Sequence, residues 1–200
     1  LAPFEWERLM SRIEILRNAP IYIDDTPSLS VFELRTKARR LVREHGIKII
    51  IIDYLQLMNA SGMSFGSREQ EVSTISRSLK QLAKELQIPI IALSQLNRSV
   101  ESRGNDKDGK EGKRPQLSDL RESGAIEQDA DMVCFIHRPE YYTRSKEDAN
   151  GNSIEGLAEF IIAKHRSGAT DTVNMKFVSY LARFQNYDED TRLTDFSAPV

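Results

Sequence analysis

The chain has 200 residues, 40% of them apolar and 29% charged, with a formal net charge of -2. That is enough chain for one domain with a sizeable core, in the composition range of a soluble globular protein. It gives no global basic signature for nucleic acid, so any such contact has to come from a local loop. No apolar run is long enough to span a bilayer, and no signal peptide is visible.

Ala2-Pro3 opens a segment in which Trp6, Leu9, Ile13 and Leu16 share one helical face. Pro20 ends it, and Ile21-Tyr22-Ile23 reads as a short strand. Ser30 and Glu33 stand at capping-box spacing, followed by the helical stripe Val31, Leu34, Ala38 and Leu41, with Gly46 as the stop. Ile47 to Ile52 is almost continuously apolar and β-branched, the pattern of a strand covered on both faces. Val72, Ile75, Leu79, Leu82 and Leu86 form the next helical stripe, and Pro89 introduces a second buried strand, Ile90 to Leu93. This alternation predicts an α/β protein with a parallel sheet. From there a polar stretch runs to about Pro115, then a short helical segment, then a strand from Met132 to Ile136. Val173, Met175 and Phe177 share one strand face, and Ala182 and Phe184 another, which suggests an antiparallel extension of the sheet. Residues 1–187 are expected to form the domain and residues 188–200 a polar tail. The single cysteine, Cys134, lies in an apolar run, which reads as a buried thiol in a reducing cytoplasm. The chain begins at Leu1, without a methionine, and is expected to be a fragment.

Four segments can carry chemistry. Ile49 to Ile52 ends in Asp53, which puts a carboxylate at the C-terminal edge of a parallel sheet, where ligands of open α/β sheets bind. There an aspartate can hold a magnesium ion through water, or be no more than an acidic strand terminus. The next strand ends in Ser94-Gln95, and an amide beside Asp53 can bond a phosphate or an attacking water, or be an ordinary polar strand end. Leu120 to Asp131 mixes Arg121, Glu122 and Gly124 with small residues: a loop that a phosphate backbone could approach, or a solvated turn with a helix cap. Lys164 and Arg166 alternate at the end of a strand and so point to one face, either toward an anion or as a charged sheet edge that deters aggregation. Gly104 to Lys110 matches the spacing Gly-x-x-x-x-Gly-Lys, yet Glu111 follows where Ser or Thr should bind magnesium, and Asp106 and Asp108 would repel phosphate. It belongs to a charged stretch, Arg98 to Arg114, with six basic and four acidic residues.

In order, IIIIDYLQLM, LSQLNR, LRESGAIEQDAD and AKHRSG closely resemble the motor domain of DnaB-type replicative helicases, over about Pro3 to Tyr187. The resemblance implies a RecA-like parallel or mixed sheet flanked by helices, incomplete at its N-terminal side. It also implies a ring of six identical subunits that translocates 5′ to 3′ on single-stranded DNA at the expense of ATP and Mg2+. By resemblance Asp53 is the Walker B aspartate, holding the metal through water, and Gln95 the γ-phosphate sensor. Arg121, Glu122 and Gly124 match the channel loop that holds DNA. Lys164 and Arg166 match the pair that reaches a neighbour's triphosphate, with Arg166 the finger. Primase and a helicase loader are the expected partners, in the cytoplasm and with no membrane. The family's Walker A loop and catalytic glutamate are not found in the 200 residues, so the chain alone is expected to be inactive. Two other functions remain open: a recombinase-type ATPase, against which the channel motif argues, and a non-catalytic DNA-binding or assembly module.

Overall fold

The computed structural model describes residues 2–97, 100, 103, 113–142, 147, 151 and 153–187. The spacing Gly104 to Lys110, Arg98 of LSQLNR and the tail 188–200 lie outside them.

Helix α1, Pro3–Arg17, forms for local reasons: proline at its first turn, Glu5 near its N-terminus and Arg17 in its last turn. Its apolar stripe faces outward, and none of its residues is buried. The strand expected at Ile21-Tyr22-Ile23 is not formed. A three-residue strand exists only by pairing, and this segment has no ladder partner among the described residues. Tyr22 instead stacks on His45, ring centroids 4.6 Å apart.

Helix α2, Val31–His45, starts at the expected box: Ser30 Oγ accepts from Glu33 N at 3.2 Å, and Ser30 N donates to Glu33 Oε2 at 3.1 Å. It stops at Gly46, whose φ of 62° is the left-handed conformation glycine adopts without a Cβ penalty. Strands β1, Ile50–Ile52, and β2, Ile90–Ala92, pair in parallel with Ile50 opposite Ile90 and Ile52 opposite Ala92. Helix α3, Arg68–Leu86, joins them. Val31, Leu55, Met58, Ala60, Ile75 and Leu79 form the core between these elements, with Leu34 and Ile52 packed against it. Ile75 is completely buried, a burial worth about 1.5–3 kcal/mol.

Neither of the first two strands is covered on both faces, contrary to the pattern of the apolar runs. Ile51 is 64% exposed, and its paired neighbour Ile91 is 48% exposed. Two-sided burial needs a layer on each side. Ile52 finds one in the α2–α3 core, while the Ile51–Ile91 face has none among the described residues.

The second half is an antiparallel sheet in the order β3-β4-β5-β6: Met132–His137, Leu157–His165, Asp171–Val178 and Arg183–Asn186. It is separate from the parallel pair and not an extension of it, since no ladder joins β2 to β3 among the described residues. The β5 face and Phe184 are as expected, with the Phe177 and Phe184 rings 4.9 Å apart. Ala182 is not in a strand. Opposing Val178 to Arg183 requires a tight return, and Ala182 makes it in the left-handed region, φ 48°, after the 3-10 turn Ser179–Leu181. Leu120, Val133, Phe135 and Ile161 form the second core. Cys134 is half-buried, and burial pushes its thiol pKa up. A 3-10 turn, Leu117–Ser123, runs directly into the short helix α4, Gly124–Asp129, which lies against α3.

Candidate nucleotide edge and DNA-side loop

Because β1 and β2 are parallel and in register, their C-terminal ends come together. Leu93 N donates to Ile52 O at 2.9 Å, and Leu55 N donates to Leu93 O at 2.9 Å. Asp53 therefore sits at the same edge as Ser94 and Gln95, and both Asp53 and Gln95 are exposed. The Asp53 carboxylate makes no hydrogen bond or ion pair among the described residues, so its oxygens are free for water or a metal's water shell. One carboxylate suits Mg2+, which keeps several waters and leans on phosphate oxygens for the rest. Among the described residues no cluster of three or more His, Cys, Asp or Glu could form a closed metal cage. Donors and acceptors for an anion or a water are present in the Gln95 amide and the Ser94 hydroxyl.

Gln56 joins the two strand ends. Its Nε2 donates to Ser94 Oγ at 3.1 Å and to Gln95 O at 3.2 Å, and its Oε1 accepts from Gln95 N at 3.3 Å. Sequence reasoning passed over Gln56, although it stands inside the quoted motif three residues after Asp53. It also missed Arg68, whose Nη2 donates to Gln56 O at 2.8 Å and Met58 O at 2.9 Å, and whose Nη1 pairs with Glu71. Glu71 in turn accepts from Ala60 N at 3.0 Å; that amide, then Arg68, holds its carboxyl below the usual glutamate range. The start of α3 thus clamps the turn that follows Asp53. No motif spacing announces this, because the partners meet only in the fold.

The Leu117–Ser123 turn carries Arg121 and Glu122 and leads into Gly124 at the start of α4. Gly124 has a right-handed helical φ of -50°, so the backbone conformation does not demand glycine. An added Cβ would meet nothing within 4 Å. The surface above it is open to the close approach of a ligand.

Lys164 lies on β4, but Arg166 stands just past the strand, which ends at His165. Both still turn to the same place, the C-terminal end of α4. Lys164 Nζ donates to Glu127 O and, at 2.9 Å, to Ala130 O. Arg166 Nη2 donates to Gln128 O, and Nη1 lies 3.5 Å from Asp131 Oδ1. Cations at the carbonyl end of a helix are favoured by its dipole and its unpaired acceptors. Lys80 also binds Asp131 and, ahead of Arg166, holds that carboxyl below the ordinary aspartate range. The fold thus brings Asp53 and Gln95 together at one edge, and Lys164 and Arg166 together on α4, which begins at Gly124. Among the described residues no bond links the Lys164–Arg166 pair to Asp53 or Gln95.

The family model for the DnaB-like helicase C-terminal domain matches residues 1–186. The replicative DNA helicase DnaB of Geobacillus stearothermophilus is 50% identical over 188 residues, 94% of this chain and 38% of the relative. The replicative DNA helicase DnaC of Bacillus subtilis (strain 168) is 48% identical over 195 residues, 98% of this chain and 40% of the relative. A solved ATPase domain superposes with a TM-score of 0.79 at 40% identity, covering 93% of this chain and 61% of that one. A solved DnaB-like replicative helicase, described with its interactions with primase, superposes with a TM-score of 0.78 at 41% identity, covering 93% and 42%. The chain therefore spans about two fifths of the length of these curated relatives.

Proposed function

The chain belongs to the family of DnaB-like helicase C-terminal domains, with a mixed α/β fold of the RecA-like ATPase type, and on that premise we propose that it is the motor portion of a replicative DNA helicase. The complete protein would be a cytoplasmic ring of six subunits that couples ATP hydrolysis to 5′–3′ translocation on single-stranded DNA. Asp53 would hold Mg2+ through water, and Gln95 would contact the terminal phosphate or the attacking water. Arg121, Glu122 and Gly124 would meet the DNA backbone, and Lys164 and Arg166 the triphosphate of the neighbouring subunit. Primase is proposed as a partner on the relative described with it, and a helicase loader on family grounds.

The observation that carries this reading is the shared edge of β1 and β2, where an unpaired Asp53 carboxylate stands beside Gln95 and Gln56 bridges the two strand ends. Bound Mg2+ neutralises phosphate charge. The residues' own part is to orient: Asp53 fixes the metal's water, Gln95 offers one donor and one acceptor, and Gln56 keeps the two in register. In the complete helicase Asp53→Ala should lower DNA-stimulated ATP turnover by on the order of a hundredfold or more, the scale of a lost charge contact at a transition state. Turnover measured at saturating Mg2+ and single-stranded DNA checks this. An Asp53→Ala protein that hydrolyses ATP at the normal rate would make Asp53 a plain strand terminus.

A further inference from the structure

Between the Asp53–Gln95 edge and the Leu117–Ser123 turn lies a small cleft of about 130 Å³, lined in part by Gln56, Ser94, Gln95, Asn97 and Asp119. Asp119 is a charged residue that is almost fully buried, its side chain 6% exposed. Part of its bonding is local, since its carboxylate accepts from Gln116 N at 2.7 Å and caps the 3-10 turn. The rest is not. Its carboxylate also binds the Arg103 guanidinium, sixteen residues earlier, and its carbonyl accepts from Asn97 N at 3.3 Å. A turn cap needs neither bond, and a buried carboxylate whose cation is removed is left uncompensated. Asn97 stands two residues after Gln95, and Asp119 two residues before Arg121. Asp119 thus ties the segment leaving the nucleotide edge to the segment entering the Arg121–Gly124 loop twice, by its backbone carbonyl on Asn97 N and by its carboxylate on Arg103.

We propose that Asp119, paired with Arg103, is the positioning residue through which the nucleotide bound at the Gln95 edge sets the Arg121–Gly124 loop on DNA. The inference rests on the proposed function. Asp119 touches neither nucleotide nor DNA. A displacement of the Gln95 backbone toward or away from a terminal phosphate moves Asn97. Val100 N donates to Asn97 O and Arg103 N to Val100 O, so Arg103 follows Asn97, and its pair with the Asp119 carboxylate passes that movement to the turn carrying Arg121, beside the backbone bond from Asn97 N to Asp119 O. The coupling is reciprocal, so DNA on the loop changes nucleotide affinity by the same factor. Weakening the pair should uncouple the two sites without abolishing binding at either.

The test uses the complete helicase ring and a fluorescent oligothymidylate, with affinity measured once with a nonhydrolysable ATP analogue and once with ADP. In the wild type the two affinities should differ by about fivefold or more. Asp119→Asn and Arg103→Met should each bring that ratio close to one, while each nucleotide alone still binds as in the wild type. Arg103→Lys, which keeps a cation, should restore most of the ratio. If Asp119→Asn does not fold, Arg103→Met decides alone, because Arg103 is partly exposed and its apolar stem is kept. A wild-type ratio in Arg103→Met overturns the proposal, whatever Asp119→Asn does. A wild-type ring that binds no DNA, or binds it equally with both nucleotides, overturns the proposed function itself and the coupling with it.

Discussion

Arg166 shows how little a residue's number says about where its charge goes. Its guanidinium rests on Gln128 O and near Asp131, in a pair half open to solvent. Such exposed pairs are worth about 0–1 kcal/mol, so releasing the guanidinium toward a neighbour's triphosphate costs little. For the proposed finger, Arg166→Ala in the complete helicase should leave assembly and nucleotide binding intact, yet lower hydrolysis by on the order of a thousandfold. The decisive measurement mixes Arg166→Ala subunits with subunits lacking their own phosphate-loop lysine. Each kind is inactive alone, and mixed rings should regain ATP hydrolysis at interfaces that pair an intact loop with an intact finger. Mixed rings that assemble and regain nothing would rule out action between subunits. Lys164 is half-buried on two carbonyls, where Arg166 is exposed.

At the scale of elements, the start of α3 clamps the turn after β1 through Glu71 and Arg68. Glu71 has a folded-state pKa below its unfolded value because it accepts from Ala60 N and pairs with Arg68. The sign follows: its stabilisation is fully present above the ordinary glutamate pKa and is lost as pH falls through the lowered one. Glu71→Gln should therefore cost about 1.5–3 kcal/mol near neutral pH, the scale of a hydrogen bond made by a charged group. The gap from wild type should close as the solution becomes acidic enough to protonate Glu71. Urea midpoints of both proteins across an acid series check this, and a gap that stays constant to low pH would sink the assignment. Helices α1, α2 and α3 were legible because 3.6-residue stripes, caps and proline act within one turn or two. Ile21-Tyr22-Ile23 has strand composition, but composition supplies no neighbour.

For the whole molecule, large apolar side chains stand open on two faces among the described residues, Trp6, Leu9, Ile13 and Leu16 on α1 and Ile51 with Ile91 on the parallel pair. The chain also contains no phosphate loop of the form Gly-x-x-x-x-Gly-Lys-Ser/Thr. Purified alone, it should hydrolyse ATP no faster than background in a coupled assay with Mg2+, with or without single-stranded DNA. Robust magnesium-dependent turnover would show that a cradle for phosphate exists elsewhere in these residues. No helix among the described residues is long and apolar enough to cross a membrane.

The sequence by itself determined the α/β class, the three long helices with the caps of α2, the antiparallel second half and the family, since these depend on local periodicity and on four ordered segments. It also marked Asp53, Gln95, Arg121, Glu122, Gly124, Lys164 and Arg166 as candidates. Only the tertiary structure decided that Gln56 bridges the two strand ends, that Arg68 and Glu71 hold the turn behind Asp53, and that Lys164 and Arg166 converge on the carbonyl end of α4. It also decided that Asp119 joins Arg103 to the Leu117–Ser123 turn. The physical reason is range: a cap or a stripe is set within a few residues, whereas these bonds join groups about 10–40 positions apart, and nothing in the spacing of either partner encodes the other.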